Sequence, residues 1–169
     1  MKSVLLGLGS NLGDSKASIS NAINKLQATP YITIKKCSPL YKSSPVGDTH
    51  QPWFYNCVLA IETFLNPKSL LEKCLSIEKE LLRTRTRHWG PRTIDIDVLD
   101  YEGITSADPE LTLPHPRMHE RLFVLKPLQD ILPDFQVNKT SLQELISNIG
   151  PQQQLHRLPL IEGDYYCDY

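Results

Sequence analysis

Arg92-Thr93-Ile94-Asp95-Ile96-Asp97-Val98 alternates apolar and acidic side chains, the period-two pattern of a half-buried strand with Ile94, Ile96 and Val98 on one face and Asp95 and Asp97 on the other. Upstream lies the basic segment RTRTRHWGPR, residues 83–92. Before it, Leu70, Leu71, Cys74, Leu75, Leu81 and Leu82 form a helical stripe, and Asn66-Pro67 supplies a cap and a first-turn proline, which predicts a helix from Pro67 to about Leu82. Phe54 to Thr63 reads as a strand, and the Ser, Pro and Gly content of SSPVGDTHQP marks a loop over 43–52. Ile32 and Ile34 alternate with polar residues in a strand starting near Tyr31. Ile19, Ala22, Ile23 and Leu26 share one face of a helix from about Asp14 to Thr29, stopped by Pro30, and Val4 to Leu8 is a short buried strand.

The order is therefore βαββαβ, which predicts an α+β fold: a ferredoxin-like split βαβ, its mainly antiparallel sheet carrying helices on one face. Further strands are expected. Residues 111–128, LTLPHPRMHERLFVLKPL, read as a Pro-rich turn and a helix. Ser141 and Glu144 form a capping box ahead of Leu142, Leu145, Ile146 and Ile149, with Gly150 as the stop. From Pro151 onward there is no period, and the tail is read as loosely ordered. With 169 residues, 40% of them hydrophobic, the chain suits one core, so the expectation is a single domain over 1–160 with a tail over 161–169.

A formal net charge of -1 gives none of the global basic bias of a general nucleic-acid binder. Cys37, Cys57, Cys74 and Cys167 include no CxxC pair and are expected as reduced thiols. The apolar run at the N-terminus is short for a signal peptide, and no stretch approaches the ~20 apolar residues of a membrane span, so the expected location is cytoplasmic.

The side-by-side carboxylates of Asp95 and Asp97, roughly 7 Å apart on one face of a strand, repel each other without a cation. Hard oxygen ligands beside positive side chains suit magnesium carrying nucleotide phosphates, singly or in a two-metal arrangement. An alternating acidic face is also ordinary on a half-exposed strand. Arg83, Arg85, Arg87, His88 and Arg92 crowd the ten residues before the carboxylates, where guanidinium forks match phosphate oxygens; a solvated basic loop is the alternative. Trp89 either stacks on a base or anchors the loop. Glu78 falls within an apolar helical stripe and requires a partner there, or lies at its edge. Gly7-Leu8-Gly9-Ser10-Asn11-Leu12-Gly13 has GxGxxxG spacing, not the GxGxxG of a dinucleotide site, and no GxxxxGK[ST] occurs. His115 and His119 are separated by Pro116, which argues against a helical zinc pair. A sheet that binds single-stranded RNA is opposed by the acidic pair and by the lack of an RNP-like motif.

Taken together, GLGSNLGD at 7–14, SSPVG at 43–47, FYN at 54–56, RHWGPRTIDIDVL at 87–99 and LPHPRMHERLFVL at 113–125 resemble the 6-hydroxymethyl-7,8-dihydropterin pyrophosphokinases over roughly residues 3–135. The resemblance implies the same ferredoxin-like α+β fold, ATP as co-substrate, and products AMP and the pterin diphosphate. It implies that Asp95 and Asp97 hold two magnesium ions. Phe54 and Phe123 would sandwich the pterin, with Asn56 at its edge and Ser43, Ser44 and Val46 along the pocket. Trp89 and Asp95 would also border the pterin. Glu78, Arg85, Trp89, Arg92, Val98, Thr112, His115 and Arg121 would surround ATP, and Arg83 and Arg85, with Arg92, would act on the reacting phosphates. His88 stands where some members carry arginine, and Phe54 where some carry tyrosine. The partners implied are ATP and the hydroxymethyldihydropterin, with no nucleic acid and no membrane, and a monomer is expected. Both loops, 43–52 and 83–92, are expected to close over bound ligands.

Overall fold

In a computed structural model of the chain, residues 1–47, 49–81 and 93–159 are described. The strand β1 (Lys2–Ser10) leads into α1 (Ser15–Gln27), whose first turn is capped by Asp14, its Oδ1 accepting the Ala17 amide at 3.0 Å. Strands β2 (Ile32–Cys37), β3 (Tyr41–Ser43) and β4 (Phe54–Thr63) follow. Next comes α2 (Pro67–Glu80), capped by Asn66 through the Ser69 amide at 2.9 Å, and then β5 (Asp95–Tyr101). The remainder comprises a hairpin of β6 (Ser106–Asp108) and β7 (Leu111–Leu113), α3 (Leu122–Ile131), the short pair β8 (Gln136–Val137) and β9 (Thr140–Ser141), α4 (Leu142–Ser147) and β10 (Leu155–Arg157).

The main sheet has the order β10-β3-β4-β1-β5, with β2 also on β4, and every pairing in it is antiparallel. Within the βαββαβ core this is the arrangement the alternating patterns predict. The segment 31–43, expected to hold one strand and the start of a loop, instead forms two strands on successive halves of β4: Ile32–Cys37 opposite Leu59–Thr63, and Tyr41–Ser43 opposite Phe54–Asn56. Ser38 bridges the break, giving its amide to the Val58 carbonyl and accepting the Val58 amide on Oγ, both at 2.9 Å.

Alternation along β1 divides the core. Val4, Leu6 and Leu8 face α1 and α2 with Ile19, Ile23, Leu26, Leu70, Ile77, Ile96 and Val98, whereas Leu5 faces α3 with Val58, Leu99, Val124, Leu125 and Leu128. Helices therefore cover both faces, not one; the extra layer comes from the C-terminal third. The stripe of α2 also differs from expectation: Leu70, Cys74, Ile77 and Glu78 are buried while Leu75 is 48% exposed. α4 stops at Ser147 with Asn148 as its cap, ahead of Gly150; Ser141 caps its first turn through the Glu144 amide. The segment after Pro151, expected to be loose, adds β10 to the sheet edge. Among the described residues no helix is long and apolar enough to cross a membrane.

Candidate functional site

A cleft of about 260 Å³ opens on the α3 side of the sheet. Its floor is made by the absence of side chains. Gly7 and Gly9 lie on β1 opposite Asp97 and Asp95 of β5, and opposite Val58 and Asn56 of β4. A Cβ on Gly9 would stand 3.1 Å from Asn56 Oδ1, and one on Gly7 would stand 3.3 Å from Leu99. Alternation sends the neighbouring Leu6 and Leu8 into the opposite core, so the strand is anchored by one face while the other stays flat.

Around this floor the structure assembles Ser43, Ser44, Val46, Phe54 and Asn56 from β3, β4 and the intervening loop, Asp95 and Asp97 from β5, and His115, Arg121 and Phe123 from the segment leading into α3. Asn56 Nδ2 donates to Ser43 Oγ at 2.8 Å, a buried bond across paired strands. The loop expected over 43–52 is fastened to its surroundings: Asn11 Nδ2 donates to Gln51 Oε1 at 3.1 Å and to the Pro52 carbonyl at 2.9 Å. Gln51, Leu99 and Arg117 also line the cleft, and the sequence reading did not single them out. Arg117 sits inside the LPHPRMHERLFVL motif; Gly7 and Gly9 sit inside GLGSNLGD, where period-two alternation with Leu6 and Leu8 puts them on one face of β1, and the register against β5 makes it the face of the acidic pair.

Asp97 is 42% exposed on its side chain, and its Oδ2 lies 3.8 Å from Nη1 of Arg121. The Arg121 guanidinium in turn stands 5.6 Å over the Phe123 ring. Burial lowers the Arg121 pKa, and Asp97 opposes the shift. His115 is held with its amide on the Leu99 carbonyl at 2.7 Å and its Nδ1 accepting the Arg117 amide at 3.1 Å. Burial, reinforced by the charges of Arg121 and Arg117, brings its pKa down from 6.5 to about 4. The ring is therefore neutral at physiological pH, and with Nδ1 accepting, its proton is on Nε2.

This has a consequence for stability. The unfolded chain protonates His115 near 6.5, the native chain only near 4. In that interval the unfolded state binds more protons, so native stability falls as pH is lowered through it. His115→Gln removes that contribution. Thermal unfolding of the metal-free protein across this pH range is expected to show a shallower decline for the variant; parallel curves would contradict it.

Three predicted site residues do not line the cleft. Glu78 is buried at 2% exposure beneath β5, where its Oε1 accepts the Ile96 amide at 2.7 Å. Its partner is thus a backbone donor of the strand that presents Asp95 and Asp97. The Val98 side chain packs into the α1–α2 core, on the face away from the carboxylates. Thr112 lies on the β6–β7 hairpin and donates to the Asp108 carbonyl at 3.0 Å. Arg83, Arg85, Arg87, His88, Trp89 and Arg92 lie outside the described residues.

Among the described residues there is no cluster of three or more His, Cys, Asp or Glu side chains arranged for a metal. Two carboxylates on one open face fit magnesium, which keeps several waters and takes few protein ligands, and do not fit a closed zinc site.

The family model described as 7,8-dihydro-6-hydroxymethylpterin-pyrophosphokinase matches residues 5–133. A 2-amino-4-hydroxy-6-hydroxymethyldihydropteridine pyrophosphokinase from Methylorubrum extorquens is 48% identical over 151 residues, covering 89% of this chain and 96% of that protein. The protein of the same name from Bacillus subtilis is 42% identical over 138 residues, covering 82% and 83%. A crystal structure of Plasmodium falciparum HPPK-DHPS shares the fold with a TM-score of 0.67 at 16% identity; the match covers 86% of this chain and 44% of that longer one. The chain belongs to the 7,8-dihydro-6-hydroxymethylpterin-pyrophosphokinase family, the enzymes of folate biosynthesis that transfer the diphosphate of ATP to a hydroxymethyl pterin.

Proposed function

We propose that this chain carries out the diphosphate transfer of its family at the rim of the cleft, beside Asp95 and Asp97, with the pterin lying on the Gly7–Gly9 floor between Phe54 and Phe123. The observation that carries this reading is the convergence, in one cleft, of an acidic pair, a flat glycine floor and aromatic side chains from both the sheet and α3. Asn56 spends its amide hydrogens partly on Ser43, leaving Oδ1 as an acceptor for an N–H on the pterin edge. Ser43, Ser44 and Val46 border the same pocket.

Asp95 and Asp97 hold two magnesium ions. Bound magnesium supplies positive charge to the triphosphate oxygens and to the acceptor hydroxyl oxygen. Arg121, which leans on Asp97 at 3.8 Å, turns to a phosphate oxygen once that carboxylate is engaged, and neutral His115 offers its Nε2–H to the nucleotide. Arg83, Arg85 and Arg92 neutralise charge on the migrating group, and Trp89 packs against the ligands. Glu78 acts by fixing the strand that carries the carboxylates; Val98 reaches ATP by backbone groups, and Thr112 contacts it from the hairpin. The enzyme works as a monomer of one domain over 1–160. Among the described residues Cys37, Cys57 and Cys74 form no disulfide, which together with ATP as co-substrate supports a reducing cytoplasmic location.

Incubation with magnesium, ATP and 6-hydroxymethyl-7,8-dihydropterin, followed by chromatography, is expected to give AMP and pterin diphosphate in equal amounts. ADP with a pterin monophosphate would show transfer of the γ-phosphoryl group alone. The floor has its own test. In Gly9→Val the new side chain meets Asn56 Oδ1, whose distance from a Cβ there is already 3.1 Å. Overpacking of this kind should weaken pterin binding about tenfold; calorimetry showing unchanged affinity would remove Gly9 from the floor.

A further inference from the structure

α3 begins at Leu122 with no side-chain cap of its own, since Arg121 occupies the N-cap position without a side-chain hydrogen bond to the helix. The missing acceptor comes from far along the chain. Gln153 Oε1 accepts the Leu122 amide at 2.9 Å, and Gln153 Nε2 donates to the Glu120 carbonyl at 2.8 Å, so one side chain grips the backbone on both sides of Arg121. The next residue grips the opposite wall: the Gln154 carbonyl accepts the Ser44 amide at 3.0 Å, and the Gln154 amide donates to Ser44 Oγ at 3.0 Å. Leu155 then pairs with Ser43, and the His156 ring stacks on Trp53 at 5.5 Å and 13°. The far end of α3 is tied to β3 separately, by Tyr41 donating to Asp130 at 2.5 Å. Gln153 and Gln154 thus link the helix end bearing Phe123 by hydrogen bonds to the β3 side of the cleft. These residues lie beyond positions 5–133, where the family model matches.

We infer that Gln153, together with the Gln154 backbone, is a positioning clamp that sets the gap between the Ser43–Ser44 wall and the Phe123 end of α3, and so tunes the fit of the pterin. The inference rests on the reading that these two walls hold the pterin. A flat ring stacked on Phe123 is sensitive to that gap, whereas the phosphates meet charged groups on longer arms. Gln153 touches no ligand itself; it acts through Leu122 and Glu120. An uncapped helix end has one more unsatisfied amide and a less fixed direction.

The test uses the full chain with Gln153→Met, which keeps the length of the side chain and removes both hydrogen bonds, and Gln153→Glu, which keeps an acceptor for the Leu122 amide. Calorimetry with a non-hydrolysable ATP analogue and with the pterin, steady-state kinetics and melting temperature are measured, with Phe123→Ala alongside. Gln153→Met is expected to raise the pterin Kd and KM about tenfold while kcat and nucleotide affinity change less than about twofold. Gln153→Glu should fall between it and the parent. Unchanged pterin affinity in Gln153→Met while Phe123→Ala binds pterin weakly would overturn the clamp and leave the pterin pocket standing; unchanged affinity in both would overturn both. Equal weakening of the two ligands, in step with a lowered melting temperature, would reduce Gln153 to a general structural residue and overturn the clamp as well.

Discussion

Asp95→Ala and Asp97→Ala are each expected to lower turnover by about a thousandfold or more while leaving the chain folded. Metal stabilisation of charge developing in the transition state is worth several kcal/mol, and each 1.36 kcal/mol is about tenfold in rate. The folded state has little to lose. The two carboxylates share a face, and removing one relieves repulsion between them. The variants differ in one respect: Asp97→Ala also takes the 3.8 Å partner from Arg121, so its melting temperature should be the lower of the two. Product formation per folded molecule, assayed at saturating magnesium ATP, checks the rate; near-parental turnover in either variant would sink the assignment.

Phe123→Ala is expected to weaken pterin binding by about 1 to 3 kcal/mol, roughly tenfold to a hundredfold, through loss of buried aromatic area and of stacking on one face of the ring. Nucleotide binding should suffer far less, though not nothing, because the Arg121 guanidinium rests 5.6 Å over that ring and loses its support. Calorimetry on each ligand separates the effects. Equal losses would make Phe123 a core residue shared by both sites.

Elements with a strong period were readable from the chain. The Ile94–Val98 alternation gives its strand directly, because Ile94, Ile96 and Val98 face the α1–α2 layer while Asp95 and Asp97 face the cleft, and burial writes itself into the sequence as a repeat of two; Phe54–Thr63 is legible as an apolar run, buried on both faces by Val58 on one side and Leu59 and Ile61 on the other. Tyr41–Ser43 and Leu155–Arg157 were not readable. Each is three residues long and holds its place by pairing with a distant partner, which leaves no local pattern. The opposite face of the sheet was missed for a related reason: β1 is covered on both sides, so Val4, Leu5 and Leu6 form a continuous apolar run that cannot say how many helices cover it.

The cleft divides in the same way. Asp95 and Asp97 are visible as candidate chemistry because an acidic pair on an alternating strand, just after a run of arginines, suits a cation, although such a face is also ordinary on a half-exposed strand. Glu78 announced itself as a carboxylate in an apolar stripe, but its partner, the Ile96 amide at 2.7 Å, is a backbone group eighteen residues away that no motif specifies. Gly7 and Gly9 invite a nucleotide-loop reading, and only the packing against Leu99 and Asn56 shows that a Cβ at either would crowd its neighbour. Phe123, His115 and Arg121 entered through the resemblance of a motif, since nothing in their spacing says that they meet the carboxylates. Gln153 had no signal at all.

The proposed site on the α3 side of the sheet, Asp95 with Asp97 holding two divalent ions, is open to direct count. Manganese, standing in for magnesium, can be counted by electron paramagnetic resonance in the presence of a non-hydrolysable ATP analogue and the pterin. Two ions per chain are expected for the parent enzyme and fewer than two for Asp95→Ala and for Asp97→Ala, each variant folded by circular dichroism. Two tightly bound ions in both variants would contradict that assignment.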